Sequence, residues 1–188
     1  MSHHRPILAA VAGLAAVLAI AAAIAGSSIA GGGASRASAS IVDATGATIG
    51  WARFVEDATG IVHVNVHVQG LTPGLHGIHI HGIAACTPTF AAAGPHYNPL
   101  GREHGLENTA GAHAGDLPNL IVNEDGIGHL DTTTDRVTLT NGPTTLFDTT
   151  AGAVGSALII HANEDNQVTN ATNGNSGGRI ACGVIVTG

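Results

Sequence analysis

The fold is decided by Val62-His-Val-Asn-Val-His-Val-Gln69. Valine holds every even position and a polar side chain every odd one, and in an extended chain successive side chains point to opposite faces. One face is therefore apolar and β-branched and the other is wet, the pattern of a half-buried strand. Turn chemistry brackets the run, with Asp57-Ala-Thr-Gly60 before it and Leu71-Thr-Pro-Gly74 after it; Asp43-Ala-Thr-Gly46 marks an earlier turn. Outward from here, the same reading predicts strands at 47–56, 61–69, 76–81, 120–123, 127–132, 136–140, 157–161 and 180–186. No segment sustains a helical period. Two long stretches have no period at all. Gly82 to Asn119 is rich in Gly, Pro, Ala and His, and Ala162 to Gly178 is rich in Asn, Thr and Gly. Connections of that length inside a small domain are usually functional. The expectation is an all-β fold, a Greek-key antiparallel β-barrel or sandwich with two long functional loops.

The 188 residues suit one domain. Residues 1–39 are expected to be a signal peptide or N-terminal membrane anchor followed by a flexible Ala/Gly/Ser linker, and residues 40–188 the domain. His3, His4 and Arg5 precede an apolar run from Ile7 to Ala25, and Ala37-Ser38-Ala39 fits a small-x-small cleavage pattern, with Ser28-Ile29-Ala30 a poorer one. The apolar run is nearly long enough to span a bilayer, so cleaved signal and retained anchor both stand. Residues 26–40 read as the linker. Either way the domain is expected to be exported, where a cysteine pair persists as a disulfide.

Charge narrows the function. The chain has six arginines, no lysine and 13 acidic residues, a formal net charge of -7. It lacks the basic face that phosphate backbones require, which argues against nucleic-acid binding. Histidine is abundant, at 12, and ten of these lie in the domain. Histidines in number with so few cationic side chains invite a metal reading.

The histidines are placed for it. His79 and His81 are two apart on an expected strand, so they share a face. His96, His104, His113 and Asp116 lie in the first long loop, a nitrogen/oxygen set suited to tetrahedral zinc. His161 ends a later strand. Histidines carried by strands suit a flatter copper site. His63 and His67, on the wet face of their strand, read as solvated.

Four motifs together resemble the copper/zinc superoxide dismutase family: Gly74-Leu-His-Gly-Ile-His-Ile-His81, Ala93-Gly-Pro-His-Tyr-Asn-Pro99, His113-Ala-Gly-Asp-Leu-Pro-Asn119 and Gly177-Gly-Arg-Ile-Ala-Cys-Gly183. The resemblance spans the domain from Ser40 to Gly188 and implies a sandwich-type β fold. It implies that a copper ion is held by His79, His81, His96 and His161, and a zinc ion by His96, His104, His113 and Asp116. His96 would bridge the two as an imidazolate. The activity implied is dismutation of superoxide to dioxygen and hydrogen peroxide. Asp165 matches an aspartate that hydrogen-bonds His79 and His104, and Arg179 an arginine that docks the anion, so His96 and Arg179 are the catalytic candidates. Cys86 and Cys182 match the family's intrasubunit disulfide. His76 matches a structural histidine, and His129 reads as a surface residue. The expected partners are superoxide, the membrane if the N-terminal segment is kept, and a second copy of the chain in a homodimer.

Departures from the family pattern matter too. The loop after His161 carries no lysine, and the domain has four arginines against 13 acids, a formal -9. Long-range attraction of superoxide is therefore expected to be weak. A glutamate that often follows the second copper histidine is Gly82 here, and Cys86-Thr-Pro-Thr-Phe90 looks like bacterial members. Two other classes compete with an enzyme. One is a dismutase-like domain that stores or hands over copper; such a domain commonly lacks a copper ligand or the arginine, and this chain has both. The other is an adhesive β-sandwich with incidental histidines, against which seven ligand positions in register stand.

Overall fold

The valine-rich run forms β3 (Val62–Gln69), and all four valines are fully buried while His63 and Gln69 face solvent. A computed structural model of the chain describes Met1 and residues 35–148, 155–169 and 174–188. Antiparallel β2 (Thr48–Glu56) and β7 (Ile127–Thr134) flank β3, their buried positions falling in the same rows. Beyond them lie β1 (Ser35–Asp43), β6 (Leu120–Val122), β8 (Ala157–His161) and β9 (Arg179–Val184). With β4 at Gly74–His76 and β5 at Ile78–His81, the strand order is β4-β6-β7-β3-β2-β1-β9-β8-β5, with the short β10 (Val186–Thr187) beside β1.

The ends of that order close the barrel. β4 (Gly74–His76) pairs with β6, β5 (Ile78–His81) pairs with β8, and one residue, Gly77, separates them. The single strand expected over 76–81 is thus two, broken where the chain passes from one edge of the sheet to the other. Its cause is local. Gly77 N–H donates to Asn163 O, Gly77 O accepts from His161 N, and a Cβ at 77 would lie 2.6 Å from Ser176 Cβ. The sheet is a nearly closed antiparallel barrel, and β7 returns beside β3 only after β4, β5 and β6, a Greek-key path. Phe54, Ile41, Ile78, Ile80, Leu117, Leu120, Leu146 and Leu158 fill it. A 3-10 turn spans Phe90–Ala93.

Two expectations need correction. First, the sheet begins at Ser35, so residues 35–39 are strand and not linker. Ala37 and Ala39 are buried and Ser40 is exposed, so the Ala37-Ser38-Ala39 pattern marks alternating core positions of β1. Residues 2–34, including Ser28-Ile29-Ala30, lie outside the described residues. Second, 136–140 is no strand. Backbone N–H groups of Leu139 and Thr140 donate to Glu56 Oε2 at 2.7 and 2.9 Å instead of to a neighbouring strand. Val137 and Leu139 are nonetheless buried, so their alternation serves packing.

Candidate metal centre

β5 carries His79 and His81 into the protein, both fully buried, opposite Ile159 and Ala157 of β8. The end of β8 adds His161, where a register shift after Ile160 sets it opposite Arg179. The first long loop returns His96 to β5, and an isolated bridge joins His81 to His96. Ring nitrogens of His79, His81, His96 and His161 converge within 4.8 Å. His96 is the hub. Its ring centroid lies 4.0 Å from that of His79 and 4.8 Å from His81 on one side, and 5.1 Å from His104 and 5.3 Å from His113 on the other.

Hydrogen bonds fix which nitrogen of each ring is left over. His79 Nε2 donates to Asp165 Oδ2 at 2.6 Å, His81 Nδ1 to Gly94 O at 2.8 Å, and His161 Nδ1 to Gly177 O at 3.0 Å. His96 Nδ1 lies 3.0 Å from Asp116 Oδ1. The opposite atoms, His79 Nδ1, His81 Nε2, His96 Nε2 and His161 Nε2, are buried with no hydrogen-bond partner. Buried polar atoms are ordinarily satisfied. Four orphaned imidazole nitrogens aimed at one point are what a nitrogen-ligated metal needs. Each donated N–H also fixes the tautomer that leaves a lone pair inward.

A second cluster lies on the other side of His96. His96 Nδ1, His104 Nδ1 and His113 Nδ1 lie 3.0, 3.1 and 3.3 Å from Asp116 Oδ1, and the first and last of these nitrogens are 3.3 Å apart. Ligands about 2.0–2.1 Å from a tetrahedral zinc are separated by about 3.3 Å, so the spacing fits that ion. Asp116 Oδ2 accepts from Gly105 N and His113 N, which turns Oδ1 to the three rings. His79, His96, His104 and Asp116 also converge within 4.8 Å, but Asp165 holds His79 Nε2, so His113 is the better fourth member.

Asp165 joins the clusters. Buried, it accepts from His79 Nε2 and from His104 Nε2, the latter 3.0 Å from Oδ2. Burial pushes its pKa up, but the bonds from His104 and His79 prevail and hold it well below the usual carboxylate range. For Asp116 burial is likewise outweighed, by His104, His113 and His96. His104 shows the converse: desolvation opposes its charge, yet Asp116 and Asp165 lift it to about 9. Burial drives the others down, His79 to about 3, His81 to about 2 and His161 to about 4, so these imidazoles are neutral at pH 7.

Arg179 stands at the edge of the first cluster. Its Nη1 donates to Phe90 O and its Nη2 to Gly94 O, both at 2.6 Å, and Gly94 O is the acceptor that orients His81. The Cys86–Cys182 disulfide ties the loop bearing Phe90 and Gly94 to β9, with Cα atoms 5.8 Å apart and a sequence separation of 96. In the chain-entropy account such a crosslink contributes about 4–5 kcal/mol.

The comparisons with known proteins agree with this geometry. The family model for copper/zinc superoxide dismutase matches residues 48–185. The chain belongs to the copper/zinc superoxide dismutase family. It is 36% identical over 138 residues to copper–zinc superoxide dismutase 2 of Mesembryanthemum crystallinum, covering 71% of this chain and 83% of that one. For copper–zinc superoxide dismutase 2 of Brassica juncea the identity is 39% over 137 residues, 70% of this chain and 85% of that one. A superoxide-dismutase-like protein from Bacillus subtilis superposes with a TM-score of 0.73 at 35% identity, over 79% of this chain and 97% of that one. Copper and zinc are the cofactors of a copper/zinc superoxide dismutase, and both clusters suit them.

The structure brings His79, His81, His96, His104, His113, His161, Asp116 and Asp165 together, with Arg179 at the edge and Cys86 bonded to Cys182. His63 and His129 stay outside on the barrel surface, and His67 stacks on Trp51 there. His76 is buried, its Nδ1 2.7 Å from His161 O and its Nε2 2.9 Å from Thr72 O, which fits a structural role. Three contributors were missed. Asn119 pairs with the Asp165 backbone, accepting from its N–H and donating to its carbonyl, both at 2.8 Å. Gly174, at φ +64°, lies against Asp165 and His104 with no room for a Cβ. Arg136 donates to Asp116 O at 2.7 Å. Asn119 closes a motif already noted; the other two carry no signal in residue type or spacing.

Proposed function

We propose that the protein dismutates superoxide with copper held by His79, His81, His96 and His161 and zinc held by His96, His104, His113 and Asp116. The four orphaned, buried nitrogens of the first cluster carry this reading. The balanced reaction is two superoxide anions plus two protons to dioxygen and hydrogen peroxide. Copper supplies one-electron redox chemistry when bound, while zinc holds its ligands without changing oxidation state.

The chain's own groups do the rest. Arg179 sits opposite His161 and bonds Gly94 O, the acceptor of His81, so its positive charge stands beside the first cluster to dock an anion. Two carbonyls hold its guanidinium as a rigid fork. His96 presents Nε2 to one cluster and Nδ1 to the other. A proton taken up at Nε2 can be handed to the departing peroxide, while Nδ1 stays in the second cluster. Asp165 keeps His79 and His104 in the tautomers that face their clusters. We infer as well that the domain works outside the cytoplasm, after export or on a membrane anchor, supported by the disulfide and the apolar N-terminal sequence.

The test is metal analysis and superoxide dismutation on the oxidised full-length chain, beside Arg179→Ala. One copper and one zinc per chain are expected, with rapid dismutation that drops in the variant while the metals stay bound. Both metals bound without dismutation would favour a copper store, and an unaffected variant would remove Arg179 from the mechanism.

A further inference from the structure

Arg136 follows the end of β7, in the segment expected as a strand that is none. Its backbone N–H donates to Thr134 Oγ1, and its side chain reaches Asp116, with Nη2 2.7 Å from Asp116 O. The guanidinium is partly buried beside Asp135 and Asp116, and burial lowers its pKa from the usual arginine value.

Asp116 is the sole carboxylate of the second cluster, and its orientation decides whether Oδ1 meets the three rings. Its side chain is pinned through Oδ2 by Gly105 N at 2.9 Å and His113 N at 3.0 Å. On the backbone side its N–H donates to His113 O at 3.3 Å, and an isolated bridge joins it to His79. The carbonyl accepts from Arg136 Nη2. We infer that Arg136 is a positioning residue for zinc, holding the Asp116 peptide so that Oδ1 faces His96, His104 and His113. The inference rests on the proposed zinc assignment.

The physics favours a guanidinium here. Without Arg136 a fully buried residue keeps a carbonyl lacking that charge-assisted partner, and such an acceptor costs free energy unless the peptide turns to find another. Any such turn carries the carboxylate with it. A guanidinium near a zinc ion also repels it. Positioning and repulsion therefore predict opposite signs when the charge is removed: lost positioning weakens zinc binding, and lost repulsion strengthens it.

The experiment uses the full-length chain, stripped of metal, with Arg136→Met and Arg136→Lys. Zinc affinity is measured by competition with a chelator, and cobalt(II) placed in the zinc position reports geometry through its visible spectrum. Partners that orient metal ligands are worth about 10–100-fold in affinity. The expected result is a loss of about tenfold or more in Arg136→Met, with an altered cobalt spectrum, and partial recovery in Arg136→Lys. Unchanged zinc affinity and spectrum with a lowered melting temperature would make Arg136 merely structural and overturn the inference, and so would tighter zinc binding in Arg136→Met. If the parent chain binds no zinc at His104, His113 and Asp116, the zinc assignment and this inference fail together. Zinc bound there equally by parent and variants would leave the assignment standing and sink the inference alone.

Discussion

Replacing Asp165 by asparagine changes one oxygen to an NH2 group and removes a buried charge. Asp165 Oδ2 now receives the proton on His79 Nε2 at 2.6 Å, and Oδ1 receives Gln167 N at 2.8 Å with His104 Nε2 at 3.1 Å. Asparagine can keep its oxygen toward Gln167 and His104, but then its NH2 faces His79 Nε2, a donor against a donor. His79 escapes by moving its proton to Nδ1, the atom aimed into the first cluster. Copper must then displace that proton or accept a buried unsatisfied donor, a cost of about 1–3 kcal/mol. At about 1.4 kcal/mol per tenfold, copper affinity should fall by roughly 5–150-fold. If the amide turns the other way, its NH2 opposes Gln167 N and also lies 3.1 Å from His104 Nε2, so the conflict reaches the zinc cluster. One metal or both must weaken, and chelator competition with each metal on parent and D165N measures this. Affinities for both metals within about twofold of the parent would refute the reasoning that Asp165 sets the tautomers.

Three further outcomes follow from the same geometry. For the metal-free protein, the folded pKa values of His79, His81 and His161 lie near 3, 2 and 4, below the ordinary 6.5. The unfolded chain then binds protons first, so stability should fall as pH drops from 6.5 toward 4, by about 1.4 kcal/mol per pH unit for each histidine. His104 acts oppositely: raised to about 9, its contribution is complete below 6.5 and is lost as pH rises toward 9. Calorimetry should therefore find the melting temperature highest near neutral pH, and a flat profile between pH 7 and 5 would contradict this. Gly174→Ala would add a strained positive φ of about 1–2 kcal/mol and push the new Cβ into Asp165, so its metal affinities should fall as in D165N, read in the same competition. With a formal charge of -9 on the domain, kcat/KM for superoxide should change little, or rise slightly, as the Debye length shrinks from about 30 to about 8 Å; a steep fall would mean attraction not visible in the charge count.

The barrel was legible where polar and apolar residues alternate strongly. Val62, Val64, Val66 and Val68 declare β3, and the neighbouring strands follow. β1 was partly hidden because its inward residues before Ile41 are alanines, which look like linker composition though Ala37 and Ala39 are buried. Val137 and Leu139 alternate like a strand, but Glu56, distant in sequence, takes the hydrogen bonds of Leu139 and Thr140. At the centre, histidine and aspartate declare themselves by residue type and spacing. The contacts that aim them do not. Gly94 O, Gly177 O and the Asp116 carbonyl are backbone groups, and any residue type supplies one. Which segment they meet is set by barrel closure at Gly77 and by the disulfide, and becomes visible only once the chain is folded.

In the proposed function His96 stands between two different metals. Crystals of the metal-loaded protein, measured by anomalous diffraction at the copper and zinc absorption edges, test it most directly. Copper is expected among His79 Nδ1, His81 Nε2, His96 Nε2 and His161 Nε2, and zinc among the Nδ1 atoms of His96, His104 and His113 and Asp116 Oδ1. A single metal, or a copper bound without His96, would contradict it.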